Sequence, residues 1–369
     1  MSKATVYFTD YHVKVGHSLP EKFRKLLLRA GIRDMDFQNK YVAIKMHFGE
    51  EGNLAYLRPE YARALVELVR EMGGRPFLTD ANTLYVGSRK NALDHLDLAH
   101  RHGFHPFGVG CQVLIADGLK GTDEVYVPVA GGQYVEEAKI GRAVMDADIV
   151  LSLNHFKGHE STGFGGAIKN IGMGCGSRAG KMEMHAAGKP QVRKPSCTGC
   201  RACVKVCAHD AISFDEEGKA QIDHGKCVGC GRCLGVCNYD AIRQGNSNSN
   251  EILCKRMAEY AKAVLDGRPH FHISMVQDVS PYCDCHGEND IPIIPDVGMF
   301  ASYDPVALDQ ACADAANRQP PMAGSMIQGA DHGQDRFACA HSNTHWQDTL
   351  EHAQHLGLGT RDYELVTMK

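Results

Sequence analysis

The sequence predicts an α/β protein: a discontinuous, mostly parallel sheet domain with helices on both faces, interrupted by a small α+β module. Three observations predict it. Short apolar runs alternate with helical patterns up to residue 190, a cysteine-dense segment follows, and the same alternation then resumes to the end of the chain. The expected organisation is therefore 1–190 and 245–369 as two parts of one α/β domain, with 191–244 set inside it.

Each element has its own signal. Tyr41, Val42, Ala43 and Ile44 read as a strand. Pro59 opens a helix that places Ala62, Leu65, Val66, Val69 and Met72 on one face and is closed by Gly73 and Gly74. Further strands are expected at 76–79, 113–116 and 149–153, with a helix over 136–147 before the last of these. Beyond the cysteines, GNSNSN at 245–250 reads as a linker and cap. A helix over 251–266 follows, ended by Gly267, then a strand at 271–276 and a helix opened by Asp304 and Pro305.

The 369 residues exceed what one compact core usually holds, and 43% hydrophobic with 23% charged residues is ordinary for a globular chain. A net charge of −4, with no run of like charges, excludes an electrostatic case for a nucleic-acid or membrane partner. The opening residues MSKATVYFTDYHVKV lack the apolar stretch of a signal peptide, and no run is long enough to span a bilayer, so a cytoplasmic location is expected. The fifteen cysteines are an odd total that cannot all pair within one chain. In a reducing compartment such thiols serve metals or redox chemistry more often than structural disulfides.

Eight of them form two copies of C-x2-C-x2-C-x3-C, as Cys197, Cys200, Cys203, Cys207 and Cys227, Cys230, Cys233, Cys237. Three thiolates at this spacing wrap three corners of a [4Fe–4S] cube from one tight loop, while the fourth reaches the other cluster. Cluster I would take Cys197, Cys200, Cys203 and Cys237; cluster II would take Cys227, Cys230, Cys233 and Cys207. Paired CxxC units also build zinc sites, but with two cysteines per run. DAISF and DAIRQ follow the two runs as matching half-repeats, with a hairpin turn at Asp215, Glu216, Glu217 and Gly218 between them. The segment resembles the bacterial two-cluster ferredoxin domain over roughly 191–243. Ala208 and Asn238 stand where that family usually has proline, which touches loop geometry and not ligation.

Polar residues gather just after the predicted strands: Lys45, His47 and Glu50; Asp80 and Asn82; Asn154, His155, Lys157 and His159. Ligands of parallel sheets bind beyond the carboxyl ends of the strands, so these loops are expected to converge on a pocket. The stretch from Asn154 to Lys189 is dense in glycine. Gly163, Gly165 and Gly166 would admit close backbone approach, a helix starting near Gly166 would aim its N-terminus at an anion, and Lys157, Lys169, Arg178 and Lys181 would neutralise it. A tightly packed backbone is the plainer alternative. Cys283, Asp284, Cys285 and His286 place two thiols and an imidazole together, suited to a further metal, a third cluster or a reactive thiol, with Cys111 and Cys175 as distant candidates to join them. Cys254 and Cys312 lie in helical patterns and read as small hydrophobes. His341, His345, His352 and His355 stand at helical spacing and read as an exposed polar face.

The segments KMHFGEEGN (45–53), PFLTDANTLYVGSR (76–89), ADGLKG (116–121), NHFKGHESTGFGGAIKNIGMG (154–174), CDCHG (283–287) and PDVGMFASYDPVALDQ (295–310) resemble the family named domain of unknown function 362, in its iron–sulfur subgroup. The resemblance implies [4Fe–4S] clusters and a link to anaerobic metabolism, with no established reaction. The glycine-rich lysine segment is also weakly similar to lactate racemase-type domains.

Together these features predict an iron–sulfur oxidoreductase. Electrons from an external donor protein would pass through two clusters to a small anionic substrate, or to a second cofactor such as a flavin, in the α/β pocket. Lys45, His47, Asp80, Lys157, His159 and Lys169 would orient and protonate that ligand. The alternatives are a non-enzymatic electron carrier or iron–sulfur delivery protein, with the α/β part as a docking scaffold, and a purely structural metal staple.

Overall fold

Strands from both ends of the chain build one eight-stranded sheet. The computed structural model describes residues 3–84, 87–185, 189–207, 209–227, 233, 237, 239, 241–243 and 248–368. From edge to edge the sheet runs Tyr363–Thr367, Ala4–Thr9, Gly298–Ser302, His270–Val276, Ile149–His155, Tyr41–Lys45, Arg75–Asp80 and Gln112–Ile115. Only Gly298–Ser302 runs against its neighbours; the five strands from His270–Val276 to Gln112–Ile115 are successively parallel. The mostly parallel α/β sheet expected from the alternation is therefore present. Ile149–His155 lies beside His270–Val276, so the two stretches flanking the cysteines share a single sheet.

Alternation along the strands separates two cores. Val150 belongs to the core under the helices Ala167–Cys175, Asn248–Leu265 and Pro305–Asn317. Ile149, Leu151 and Leu153 face the other way, toward Leu19–Arg29 and Pro59–Glu71. Both faces are thus covered, as a continuous apolar run such as IVLSL requires. A fully buried leucine such as Leu65 contributes about 1.5–3 kcal/mol. Ala167–Cys175 and Asn248–Leu265 cross closely at Gly172, where a Cβ would collide with the carbonyl of Met257.

Most predicted boundaries are shifted by a residue or two, and two are corrected. The helix expected over 136–147 is instead the strand Glu137–Gly141, antiparallel to Glu124–Pro128, followed by the short helix Arg142–Met145. Ala138 and Ile140 are buried at a spacing of two, and that period prevails. The helix expected from 251 begins at Asn248, inside the stretch read as a linker.

The cysteine-dense segment holds two small antiparallel pairs. Gln191–Val192 pairs with Ile242–Arg243, and Ile212–Phe214 pairs with Ala220–Ile222. The hairpin turn expected at 215–218 is present, with Gly218 at φ +73°. Their shared core is cysteines and a few apolar side chains, among them Cys197, Cys203, Ile212, Ala220, Cys233 and Ile242.

Candidate functional site

The strand ends at Lys45, Asp80 and His155 carry the buried charges. Lys45 is 1% exposed; its Nζ lies 2.9 Å from Asp80 Oδ1 and donates to Asn170 Oδ1 at 3.0 Å. Asn170 returns a bond to the Lys45 carbonyl, which ties the strand to the glycine-rich helix. Arg89 lies 3.9 Å from Asp80 Oδ2 and donates to Glu50 at 3.0 Å, while His95 Nε2 stands 3.7 Å from the same carboxylate. Burial alone would raise Asp80, but the charges of Lys45 and Arg89 outweigh it and hold the carboxyl below its usual value. Burial pushes His95 down to about 3, so it is neutral.

His47 projects among these cations. Its Nδ1 accepts the backbone N–H of Gly49 at 2.9 Å, which leaves the ring proton on Nε2. Nε2 is covered and has no partner among the described residues. Burial, then Arg89, Lys157, Lys45 and Lys169, depress its pKa well below the ordinary value. The result is a neutral N–H donor in a cation-rich site, an arrangement complementary to an anion.

A parallel arrangement surrounds Lys157. Its Nζ lies 3.4 Å from Asp284 Oδ2, and Asp284 also takes His155 Nδ1 at 2.8 Å. Despite burial, His155 and Lys157 hold the Asp284 carboxyl well below the usual range. Gly165 faces both Lys157 and Lys169; a Cβ there would meet Lys169 Cδ at 3.2 Å and Lys157 Cε at 3.5 Å. Lys169 Nζ donates to Cys283 Sγ at 3.4 Å. His159 Nδ1 accepts N–H groups from Ser161 at 3.0 Å and Thr162 at 3.2 Å, so its ring proton also sits on Nε2, 3.7 Å from Glu160 Oε1. Burial lowers His159 to about 4. Glu160 accepts from His286 Nε2 at 3.1 Å and raises that histidine to about 9.

The donor atoms of His159, Cys283 and Cys285 lie within 4.8 Å of one another, a group with the chemistry to hold one soft metal ion. The two thiols divide unequally. The hydrogen bond between them, together with burial, raises Cys283 to about 12; the same bond lowers Cys285, with Lys169 helping. Cys111 and Cys175 do not join this group: each lies in a different apolar core. Cys254 and Cys312 are buried in helices as expected.

The residues expected to form an anion cradle occupy separate places. The N-terminus of Ala167–Cys175 meets an internal carboxyl group: Asp309, raised by burial to about 7, accepts the N–H groups of Ala167 at 2.6 Å and Ile168 at 3.0 Å, against Gly166. Gly163 turns at φ +75° beside Trp346 and Thr344. Arg178 packs on Gly121, and Lys181 donates to the Gly176 carbonyl at 2.6 Å, lowered by burial to about 8. Sequence reasoning missed Arg89, His95, Asn170 and Glu160, which carry no motif of their own. The histidines near the C-terminus are not one exposed face: His352 is buried with its Nε2 2.9 Å from Glu259, and His341 Nε2 lies 2.9 Å from the Pro281 carbonyl.

In the cysteine-dense segment Cys197, Cys203 and Cys233 are buried, Cys200 is exposed, and Cys207, Cys227 and Cys237 are intermediate; Cys230 lies outside the described residues. Backbone N–H groups donate to sulfurs of the segment: Ala211 to Cys207 at 3.4 Å, Ala241 to Cys237 at 3.3 Å, and Ala220 to Cys197 at 3.3 Å.

Fold and site define an α/β protein with a charged, cysteine-bearing site at the carboxyl ends of its parallel strands. Residues 42–314 match the family described as domain of unknown function (DUF362), and the chain belongs to that family. A thylakoid-associated protein of Synechocystis sp. is 28% identical over 130 residues, which is 34% of each chain, so this chain spans about a third of that relative's length. Among solved structures, the lactate racemase apoprotein from Thermoanaerobacterium thermosaccharolyticum is 13% identical, with a TM-score of 0.36 over 74% of this chain and 51% of that one. A Thermotoga maritima protein, also 13% identical, gives 0.43 over 82% and 60%. Among the described residues no helix is long and apolar enough to cross a membrane.

Proposed function

We propose that the chain is an iron–sulfur oxidoreductase. Electrons from an external protein donor would reach two [4Fe–4S] clusters in an inserted ferredoxin-type module at 191–244 and pass to a small anionic ligand at the strand-end pocket. The observation that carries the cluster reading is the matched pair of N–H to sulfur bonds. Cys207 and Cys237 occupy equivalent places in the two runs, and each accepts from the residue four positions on. Such donors stabilise thiolate charge, which cluster ligands carry and buried thiols do not. Cys197, Cys203 and Cys233 meet in a core too small to be held by apolar packing alone, which fits a segment organised around a bound group.

When bound, the clusters supply one-electron carriers. The pocket residues do the rest. His47 Nε2–H donates to an oxygen of the ligand, Lys157 and Lys169 balance its charge across Gly165, and the Lys45–Asp80–Arg89 group fixes the loop that carries His47. His159 holds a proton on Nε2 beside Glu160. The resident location we infer is the cytoplasm.

Anaerobic purification with iron and sulfide analysis tests the cluster reading. About eight iron and eight sulfide per chain are expected. Stoichiometric zinc without sulfide would overturn it. For the pocket, His47→Phe and Lys157→Met are expected to abolish binding of small carboxylates or phosphates by calorimetry; wild-type protein that binds neither would end the pocket reading.

A further inference from the structure

We propose that Cys283 and Cys285 form a reversible dithiol–disulfide couple that exchanges with small anionic disulfides, Cys285 attacking and Cys283 resolving. The Sγ atoms lie within 4.8 Å of one another, and the residues stand two apart on a loop, near enough for a disulfide between them to be the natural oxidised form. The two residues are unequally covered: Cys283 is 2% exposed, while Cys285 is intermediate. The Lys169 ammonium, 3.4 Å from Cys283 Sγ, favours negative charge on the pair.

Two features separate this couple from a metal site. His159 already spends Nδ1 on two backbone N–H groups, so an ion could bind its Nε2 only by displacing the ring proton against those bonds. Lys169, 3.4 Å from Cys283 Sγ, and Arg89, with Nη2 3.5 Å from the Cys285 carbonyl, place positive charge beside the pair that opposes a further cation and favours a thiolate. The preference for an anionic disulfide rests on the pocket reading above; the couple itself does not.

The exchange balances. The Cys285 thiolate attacks one sulfur of the disulfide, forming a mixed disulfide and expelling one thiolate. Cys283 gives its proton to that thiolate and attacks Cys285 Sγ, closing the Cys283–Cys285 bond and expelling the second thiolate. The substrate gains two electrons and the protein dithiol loses two. Regeneration takes two electrons and two protons from an external dithiol reductant, which is itself oxidised to a disulfide.

The test uses full-length, anaerobically purified protein exposed to glutathione disulfide, then alkylated and digested. Wild-type protein is expected to lose two hydrogens in the peptide spanning both cysteines and to recover them with reductant. Cys283→Ser is expected to trap glutathione on Cys285, and Cys285→Ser to trap none. Lys169→Met is expected to slow Cys285 alkylation roughly tenfold near neutral pH. Neutral hydroxyethyl disulfide is expected to react more slowly; equal rates would keep the couple and remove the pocket's preference for anions. Wild-type thiols that both stay alkylatable under excess glutathione disulfide, or a stoichiometric metal ion lost on Cys285→Ser, would overturn the proposal.

Discussion

The charged cluster at the strand ends and the cysteine-dense segment are built on opposite principles. In the cluster, buried charges answer one another directly: Lys45 with Asp80 at 2.9 Å, Lys157 with Asp284 at 3.4 Å, His155 with Asp284 at 2.8 Å, all on an eight-stranded sheet with two apolar cores. The segment has two strand pairs of two and three residues and a core made largely of thiols. The first is held by ion pairs within the chain. On the proposed reading, the second is organised by the group its cysteines would hold.

That contrast can be broken in order of expected effect. Stripping iron by oxidation and chelation is expected to unfold 191–243 while the sheet stays intact. Hydrogen exchange should then show full loss of protection in the segment and none at Ile149–His155; concerted loss in both would erase the distinction. Lys45→Met should do the reverse, destabilising the sheet by about 3–5 kcal/mol, as expected when one partner of a buried ion pair is removed, with iron content unchanged. Denaturant midpoints measure it. Asp309→Ala leaves the N–H groups of Ala167 and Ile168 without their acceptor and is expected to cost about 1–3 kcal/mol, seen as faster exchange at the start of that helix.

The smallest effect is a pH dependence confined to the pocket. His286 is raised from 6.5 to about 9 by Glu160, so its contribution to stability is fully present below pH 6.5 and is lost as pH rises through about 9. Glu160 is lowered from 4.5, so its contribution is present above that value and lost as pH falls well below it. The pair is therefore strongest between pH 4.5 and 6.5. NMR titration should find His286 near 9 and return it toward 6.5 in Glu160→Gln; an unchanged midpoint would remove the pairing.

The same contrast explains what the sequence made legible. Spacing along the chain makes the two C-x2-C-x2-C-x3-C runs visible, and it encodes the strands through alternation. It also placed Lys45, His47, Asp80, Lys157 and His159 after strand ends and Lys169 in the glycine-rich stretch, and the structure brings Lys45 to Asp80 and Lys169 to Cys283. The partners that fix these groups were not legible. Arg89 and His95 reach Asp80 across the fold, and Asp309 caps a helix 142 residues earlier in the chain. The 136–147 stretch misled because its charged residues fit a helix while its buried pair, Ala138 and Ile140, follows a strand.

EPR of the anaerobically purified protein, before and after a one-electron reductant, tests the central claim most directly. Two [4Fe–4S] clusters predict signals that appear on reduction and integrate to about two spins per chain, one of them lost in Cys203→Ser. Protein that carries zinc at these cysteines and stays EPR-silent under full reduction would contradict the account.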